Sequence, residues 1–200
     1  MNSLRQFRER QWLWPVEDYH CWKHLTELHP DIPKDIIAEI GGASLIVQAG
    51  GNCGLYVAQY AYFCDEIHTF EPDGNNYKCL SQNVHEKNVI MYNKALGEAT
   101  RQVALRTDRV NNGASRAITG SGVDMIMLDS LQLKPDLIHL DVEGHEKWAL
   151  KGARETIDKY SPAVVLECTD DINIGSGESI LFELGYTKRK QFGLDWLYTR

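Results

Sequence analysis

The chain has 200 residues, of which 43% are hydrophobic and 24% are charged, as in one ordinary globular domain rather than a disordered or collagen-like chain. It carries 21 basic and 28 acidic residues, and the resulting net charge of −7 argues against a protein that binds nucleic acid through its phosphates. No apolar run approaches the ~20 residues that a membrane span requires, and no secretory apolar stretch follows the basic N-terminus. We therefore expect a cytoplasmic protein with neither nucleic acid nor a membrane as its partner.

The five cysteines also favour a cytoplasmic location. They are odd in number, widely spaced and without a C-x-x-C pair, so they indicate neither a zinc site nor a disulfide framework. Reduced thiols without a bound metal are the prediction.

The first 43 residues differ from the rest and are predicted to form a short helical cap on a body at 44–200. Apolar residues at helical spacing begin near Trp22, and a second helix is predicted to open at Pro33 and to close at Gly41-Gly42. The cap is rich in large aromatic side chains: Trp12, Trp14, Tyr19 and Trp22. Because aromatic rings with one polar edge suit the rim of a ligand site, we predict that they close over the substrate side of a site in the body. Packing against the body is the alternative.

From Ser44 onward, short apolar runs alternate with segments of helical spacing, which is the pattern of an α/β domain built on a mostly parallel sheet. Strands are predicted at 44–49, 67–70, 89–96, 123–128, 137–140 and 163–166. The longest helix is predicted over 146–160, and two strands joined at Phe192-Gly193 are predicted to close the sheet as an antiparallel hairpin. His68 and His139 lie within predicted strands and are expected to be satisfied core residues.

A glycine-rich run, Gln48-Ala49-Gly50-Gly51-Asn52-Cys53-Gly54, follows the first of these strands. In an open parallel sheet, ligands bind beyond the carboxyl ends of the strands, where glycines allow close backbone approach and helix N-termini offer free N–H groups. The spacing is G-G-x-x-G and not the G-x-G-x-x-G of dinucleotide-binding loops. Glu71 ends the next strand, 21 residues after Gly50. In nucleoside-binding α/β folds, an acid about 20 residues after the glycines accepts hydrogen bonds from the ribose hydroxyls. Together the loop and Glu71 predict a site for an adenosine-containing cofactor.

A second polar group, Asp141-Val142-Glu143-Gly144-His145-Glu146, follows another long strand and is expected to face the same cleft. Asp141 and Glu143 are two residues apart, which places both side chains on one side of an extended backbone. They could hold a cation, orient a substrate hydroxyl or remove its proton, and His145 is a further candidate for that chemistry. The alternative is that Glu143 or Glu146 only caps the helix that follows.

These segments resemble, in the same order, FkbM-type methyltransferases. The motifs that carry the resemblance are 46–54, Thr69-Phe70-Glu71-Pro72, Leu80-x-x-Asn83, Ala95-Leu96-Gly97, Leu128-Asp129-Ser130-Leu131, 141–153, 162–167 and Leu184-Gly185-Tyr186. The resemblance covers about residues 44–200. It implies a class I, Rossmann-like methyltransferase fold with seven strands, S-adenosylmethionine as cofactor, and methyl transfer to a hydroxyl of a sugar or another small molecule.

Motif position in that family also implies roles for individual residues. The residues implied at the cofactor are Gln48, Gly50, Gly51, Asn52, Gly54, Glu71, Pro72, Ala95 and Asp141. Glu71 would hold the ribose, and Asp141 would lie near the sulfonium and the acceptor as the first candidate base, with Glu143 and His145 behind it. Many members have Asp where Gln48 stands. A glutamine can hydrogen-bond the ammonium group of the cofactor, but it cannot pair the charge.

Two other functions fit part of the pattern. The glycine loop and Glu71 also suit a nicotinamide-dependent oxidoreductase, although the missing third glycine and the closing hairpin argue against it. Gln48 leaves open a non-catalytic nucleoside-binding module of the same fold. A divalent cation held by Asp141 and Glu143 could acidify the acceptor hydroxyl in place of a base, and the sequence does not decide between the two.

Overall fold

The N-terminal segment is a β-hairpin followed by short helices. The computed structural model, which describes residues 2–106, 116–167 and 175–200, pairs β1 (Asn2–Phe7) antiparallel with β2 (Arg10–Pro15). Helix α1 (Tyr19–Lys23), a turn of π-helix at His24–Leu28 and α2 (Ile32–Ile40) follow.

The prediction of a helical cap was therefore wrong for residues 2–15. Trp12 and Trp14 are two residues apart, which is the spacing of a strand, and both are buried on one face of β2. The helical spacing that starts near Trp22 does not extend back into this hairpin.

Strands and helices then alternate through the body. In chain order they are β3 (Leu45–Ala49), α3 (Leu55–Ala61), β4 (Glu66–Phe70), α4 (Gly74–Asn83), β5 (Val89–Tyr92), β6 (Ala95–Leu96), β7 (Arg101–Arg106), β8 (Arg116–Ile126), a 3₁₀ turn at Leu128–Leu131, β9 (Leu137–Leu140), α5 (Glu146–Lys151), α6 (Arg154–Tyr160), β10 (Ala163–Glu167), α7 (Gly175–Glu183), β11 (Thr187–Phe192) and β12 (Asp195–Thr199). Among the described residues, no helix is long and apolar enough to cross a membrane. Cys168 lies outside the described residues.

Seven strands form a central mixed sheet in the order β11-β12-β10-β9-β3-β4-β5. Neighbours from β10 to β5 are parallel, whereas β12 runs antiparallel to both β10 and β11. The predicted closing hairpin is thus present, with its second strand inside the sheet. Because β10, β9, β3, β4 and β5 are parallel, their carboxyl ends meet at one edge.

Three elements differ from the sequence prediction. The strand predicted over 89–96 divides into β5, in the central sheet, and β6, which joins β8 and β7 in a separate three-stranded sheet. The edge strand predicted at 123–128 belongs to β8 of that small sheet. The helix predicted over 146–160 is two helices separated at Gly152, where a side chain would collide with the backbone oxygen of Gly97.

The N-terminal segment shares a hydrophobic core with one face of the central sheet. Trp14 is fully buried, Trp12 and Trp22 are nearly so, and all three belong to a cluster with side chains of α2, α3 and α4. Burying an aromatic side chain removes about 150–250 Å² from water, which contributes roughly 4–6 kcal/mol. The Leu13 N–H donates to Asn83 Oδ1 at 2.7 Å, and Asn83 Nδ2 donates to the Leu13 carbonyl at 2.9 Å. Packing and this reciprocal pair hold the segment to the body.

Candidate functional site

A cavity of about 520 Å³ opens at the carboxyl edge of the central sheet. Its walls come from the segments after β3, β4 and β9, from the ends of β10 and β12, and from the N-terminal helices. Ligands bind at this edge in open parallel sheets, and small-molecule sites measure about 300–1,000 Å³. The sequence-predicted residues that line the cavity are Gly50, Gly51, Asn52, Glu71, Pro72, Ala95, Asp141, Glu143 and His145.

The glycine loop, residues 50–54, follows β3 and is hydrogen-bonded to the neighbouring strand β4. The N–H groups of Gly50 and Gly51 donate to the Phe70 carbonyl of β4 at 2.9 and 3.0 Å. Gly50 has a φ of +89°, and a Cβ atom there would collide with the backbone oxygen of Asp141 at the end of β9. The loop requires glycine at this position because an L side chain would meet that oxygen and strain the backbone.

Gln48 and Gly54 lie behind the loop and not in the cavity wall. Gln48 is 2% exposed, and its Oε1 accepts a hydrogen bond from Thr69 at 2.7 Å while its Nε2 donates to the Gly50 carbonyl at 2.8 Å. Gly54 precedes α3 with a φ of +92°, and a Cβ atom there would lie 2.5 Å from Val84. The structure thus places both residues as supports of the loop.

Glu71 lies in the cavity wall just after β4 and is 4% exposed. Its Oε2 accepts a hydrogen bond from the Asn52 N–H at 2.7 Å, and its Oε1 accepts one from the Asp73 N–H at 2.8 Å. Burial raises the pKa of Glu71 to about 8, although the two hydrogen bonds lower it. A carboxylate offers about four lone-pair sites, so two remain for ligand hydroxyls. Pro72, next in sequence, and Ala95 of β6 also line the cavity.

Three carboxyl groups gather where β9 and β10 end. Oxygen atoms of Asp141, Glu143 and Glu167 lie within 4.8 Å of one another, and the Asp141 and Glu167 side chains are hydrogen-bonded. The charge of Asp141, together with burial, raises the pKa of Glu167, so Glu167 holds the shared proton and Asp141 the charge. Burial raises the pKa of Asp141 and, to about 8, that of Glu143. Such a group could accept a proton from a hydroxyl or hold one divalent cation.

The sequence prediction missed Glu167. It is the last residue of β10, which lies beside β9, so the rule that placed Asp141 at the carboxyl edge also applies to it.

Glu143 and Glu146 have different roles in the turn before α5. Glu143 has a φ of +55°, a left-handed conformation that costs about 1–3 kcal/mol, and its side chain lines the cavity. Glu146 is 2% exposed, and its Oε1 accepts hydrogen bonds from the N–H groups of Val142 and Gly144 at 3.1 and 3.2 Å. Glu146 therefore braces the turn before α5, a structural role different from the helix cap that was the alternative, whereas Glu143 faces the site.

His145 lines the cavity and stacks on Trp148, with 5.1 Å between the ring centroids. Burial lowers the pKa of His145 to about 4, so its imidazole is neutral near pH 7 and is a weaker base than the carboxylates beside it. His68 is a satisfied core residue, as predicted, because its ring nitrogens contact Tyr92 and Glu66 at 3.0 and 2.7 Å.

The N-terminal segment forms one wall of the cavity. The residues that line it are His20, Cys21, Lys23, His24, Leu25 and Leu28. Asn52 of the glycine loop donates a hydrogen bond to Cys21 Sγ at 3.2 Å.

The four aromatic residues predicted to close over the site do not line the cavity. Trp12, Trp14 and Trp22 belong to the core, and Tyr19 is 56% exposed. The prediction was therefore wrong for these aromatic side chains, although the segment that carries them does line the cavity. The packing alternative holds for the three tryptophans, two of which the strand spacing of β2 turns toward α4.

Comparison with known proteins identifies the family. A model of the methyltransferase FkbM domain matches residues 39–189. The chain belongs to the FkbM methyltransferase family. The match confirms the resemblance seen in the motifs. No match is found among curated proteins.

Solved methyltransferase structures share the fold of this FkbM-family chain at low sequence identity. A methyltransferase FkbM from Methylobacillus flagellatus is 20% identical with a TM-score of 0.55, over 80% of this chain and 44% of that one. A SAM dependent methyltransferase from Aquifex aeolicus is 13% identical with a TM-score of 0.53, over 88% and 92%. A precorrin-6y C5,15-methyltransferase from Geobacter metallireducens is 10% identical with a TM-score of 0.53, over 84% and 87%. The chain therefore has a methyltransferase-like α/β fold and spans less than half of the FkbM structure.

Proposed function

We propose that this FkbM-family protein transfers a methyl group from S-adenosylmethionine to a hydroxyl group of a sugar or another small molecule. The observation that carries the proposal is one cavity whose lining includes Glu71, the glycine loop and the carboxyl cluster around Asp141. Methyl transfer to a hydroxyl requires a nucleoside site beside a proton acceptor. The methyltransferase family and the methyltransferase neighbours support this function.

The residues present fit the cofactor. Glu71 retains acceptor sites for the two ribose hydroxyls, and Gly50 and Gly51 line the same cavity, where a backbone without side chains allows a ligand to approach closely. When bound, the cofactor would supply a methyl group attached to a sulfonium sulfur, and the electron pair of the broken carbon–sulfur bond would stay on the sulfur. The cavity volume suits a nucleoside cofactor with a small acceptor beside it.

Asp141 is the proposed base. The reaction is an in-line displacement, so the site must mainly hold the acceptor oxygen against the methyl carbon. As the new carbon–oxygen bond forms, the hydroxyl proton passes to the Asp141 carboxylate, which burial makes more basic than an exposed aspartate. Glu143 is the next candidate because it lies within 4.8 Å of Asp141.

Equilibrium titration tests the cofactor, and one variant tests the base. S-adenosylhomocysteine should bind the protein, whereas NAD should not; tighter binding of NAD would favour an oxidoreductase. Asp141→Asn should lower methyl transfer far more than affinity for S-adenosylhomocysteine, with the exposed Asp158→Asn as the matched control. A loss confined to cofactor affinity would remove Asp141 from the role of base. Binding without transfer to any hydroxyl acceptor would favour the non-catalytic module.

A further inference from the structure

We propose that the methyl acceptor carries a protonated amine besides its hydroxyl group, and that Asp195 binds this amine. The proposal rests on the proposed methyl transfer and names the chemical class of its acceptor, an amino alcohol such as an amino sugar. The sequence analysis does not single out Asp195, and it assigns His139 only to the core.

Three neighbouring strands place a carboxyl group at the same edge of the cavity. Asp141 follows β9, Glu167 ends β10, and Asp195 begins the antiparallel β12, where it lies opposite Glu167. All three line the cavity, and Glu143 lies beside Asp141 and Glu167. Among the described residues, no lysine or arginine forms an ion pair with any of these four carboxyl groups. This end of the cavity is therefore acidic.

The basic side chains of the cavity wall do not compensate these acids. Lys94 lies 3.9 Å from Asp124 of β8, and Lys23 of α1 is exposed. Burial and the neighbouring His29 lower the pKa of His24, so its ring is neutral near pH 7. A cation at this end of the cavity would have to come from a ligand.

Asp195 is the acid best able to bind such a cation. It is 6% exposed, and within the described parts of the chain its side chain makes no hydrogen bond. Asp141 and Glu167, in contrast, are hydrogen-bonded to each other, so they already share a proton. A buried carboxylate without a donor lacks the partner that such groups usually have, and an ammonium group would supply strong charge-assisted hydrogen bonds.

His139 does not take this place. Its Nε2 lies 3.5 Å from Asp195 Oδ1 and has no hydrogen-bond partner, whereas its Nδ1 lies 2.8 Å from the Tyr60 hydroxyl. The prediction of a satisfied core histidine was therefore wrong for Nε2. Because His139 is 1% exposed and does not line the cavity, the cavity side of Asp195 remains open to a ligand.

Asp195 is too far from the ribose position to meet the ammonium group of the cofactor. Glu71 follows β4, and β4 and β12 are four strand spacings, or roughly 19 Å, apart. This is farther than the ribose and the ammonium group of one cofactor molecule are apart, and the carboxyl cluster around Asp141 lies between them. The cation therefore belongs to the acceptor. Asp141 and Asp195 are two spacings, or roughly 10 Å, apart at the backbone, which a sugar ring or a short carbon chain can bridge between the two side chains.

The surroundings of Asp195 strengthen this contact. Leu25, Leu28 and Leu194 line the cavity, and Leu28 and Leu194 are 59% and 39% exposed. A Cβ atom on Gly193 would lie 2.8 Å from the His29 ring, so the β11–β12 turn packs against the segment that carries Leu25 and Leu28. Apolar walls lower the local dielectric constant, which strengthens an ion pair and offers contacts to the carbon skeleton of the acceptor.

Pairs of probes that differ in one amine test the proposal. Glucosamine is compared with glucose, and 5-aminopentanol with 1,5-pentanediol, by calorimetric titration of protein saturated with S-adenosylhomocysteine in the presence of EDTA. The amine of at least one pair should bind about 10- to 100-fold more tightly than its alcohol, as expected for one charge-assisted contact. Equal affinities within both pairs, or no binding of either amine, would overturn the proposal.

Asp195→Asn should remove the preference for the amine. It should leave the affinities for S-adenosylhomocysteine and for 5′-methylthioadenosine, which has the same nucleoside without the ammonium group, within about twofold. Weaker binding of S-adenosylhomocysteine alone would assign Asp195 to the cofactor and overturn the proposal. Asp158→Asn, at an exposed ion pair with Arg200, is the matched control and should keep the preference.

Thermal denaturation separates a binding role from a structural one. Asparagine has nearly the same shape as aspartate, and Asp195 makes no hydrogen bond among the described residues, so unliganded Asp195→Asn should melt no lower than the wild type. A variant that melts much lower or does not fold would identify Asp195 as structural and overturn the proposal. Mg²⁺ titrated alone should not bind through Asp195, and binding that Asp195→Asn abolishes would assign the residue to a metal instead. Wild-type protein that binds neither nucleoside would refute the proposed function itself.

Discussion

Replacing Glu71 with glutamine is expected to weaken the binding of 5′-methylthioadenosine about 10- to 100-fold. The two carboxyl oxygens already accept hydrogen bonds from the backbone of Asn52 and Asp73, and each has one further acceptor site for a ribose hydroxyl. A glutamine NH₂ cannot accept, so the variant loses one loop hydrogen bond and one ribose hydrogen bond. Above pH 8, where Glu71 is ionised, a hydrogen bond to this charged group contributes about 1.5–3 kcal/mol, and about 1.4 kcal/mol is tenfold in affinity.

The pH dependence of binding provides a second readout. Burial raises the pKa of Glu71 to about 8, and ribose hydroxyls donate to the ionised carboxylate. The wild-type affinity for 5′-methylthioadenosine should therefore rise as the pH increases toward 8 and level off above it. The affinity of Glu71→Gln should stay flat, and calorimetric titration at several pH values measures both.

Glu66→Gln is the matched control. Glu66 begins the same strand, its side chain is 45% exposed, and it lies outside the cavity wall. Glu71→Gln should also melt about 2–10 °C lower, because one buried N–H group loses its acceptor at a cost of about 1–3 kcal/mol. A folded Glu71→Gln protein with wild-type affinity and wild-type pH dependence would refute the ribose role and leave Glu71 as a support of the loop.

Burial raises the pKa of Glu71 and Glu143 to about 8 in the folded protein, against about 4 in the unfolded chain. Their protonation therefore stabilises the folded state fully below about pH 4, and this contribution is lost as the pH rises through about 8. The unliganded protein should melt at a lower temperature at pH 9 than at pH 6, and equal melting temperatures would contradict this. Gly50→Ala should abolish binding of S-adenosylhomocysteine and lower the melting temperature, whereas Gly41→Ala, with a similar φ of +80° but nothing within 4 Å, should show the backbone strain alone. Excess EDTA should leave methyl transfer intact if a carboxylate is the base, and a loss that Mg²⁺ restores would assign the clustered carboxyls to a metal. Deletion of residues 2–15 should unfold the protein in thermal denaturation, because it removes two buried tryptophans; a truncated chain with unchanged melting temperature would show that the hairpin is dispensable.

The sequence predicted best the strands that are buried on both faces. The apolar run 137–140 is observed as β9 with the same bounds, because a central parallel strand has no polar face and is flanked by polar residues. The N-terminal segment was harder to predict, because Trp12 and Trp14 have the spacing of a strand and precede residues that have the spacing of a helix. Their partner strand β1 gave no comparable apolar signal.

The site was predicted where the carboxyl-edge rule applies directly. Glu71 and Asp141 both follow parallel strands and both line the cavity. The motif also suggested Gln48, but sequence spacing does not show that a side chain is already bonded to a neighbouring strand. Asp195 also lines the cavity but was not predicted, because β12 is reversed and the residue that reaches the carboxyl edge begins its strand instead of ending it.

The interior position of β12 has a consequence for the nascent chain. The ribosome releases β10 and β11 first, yet β12 must insert between them before either has its final neighbours. Until then the apolar strand β10 presents an unpaired edge, which is a template for aggregation and a target for chaperones. Because Asp195 arrives with β12, the cavity wall is completed in the same late step as the sheet. Insertion of β12 therefore covers the exposed edge of β10 and completes the binding cavity in one step.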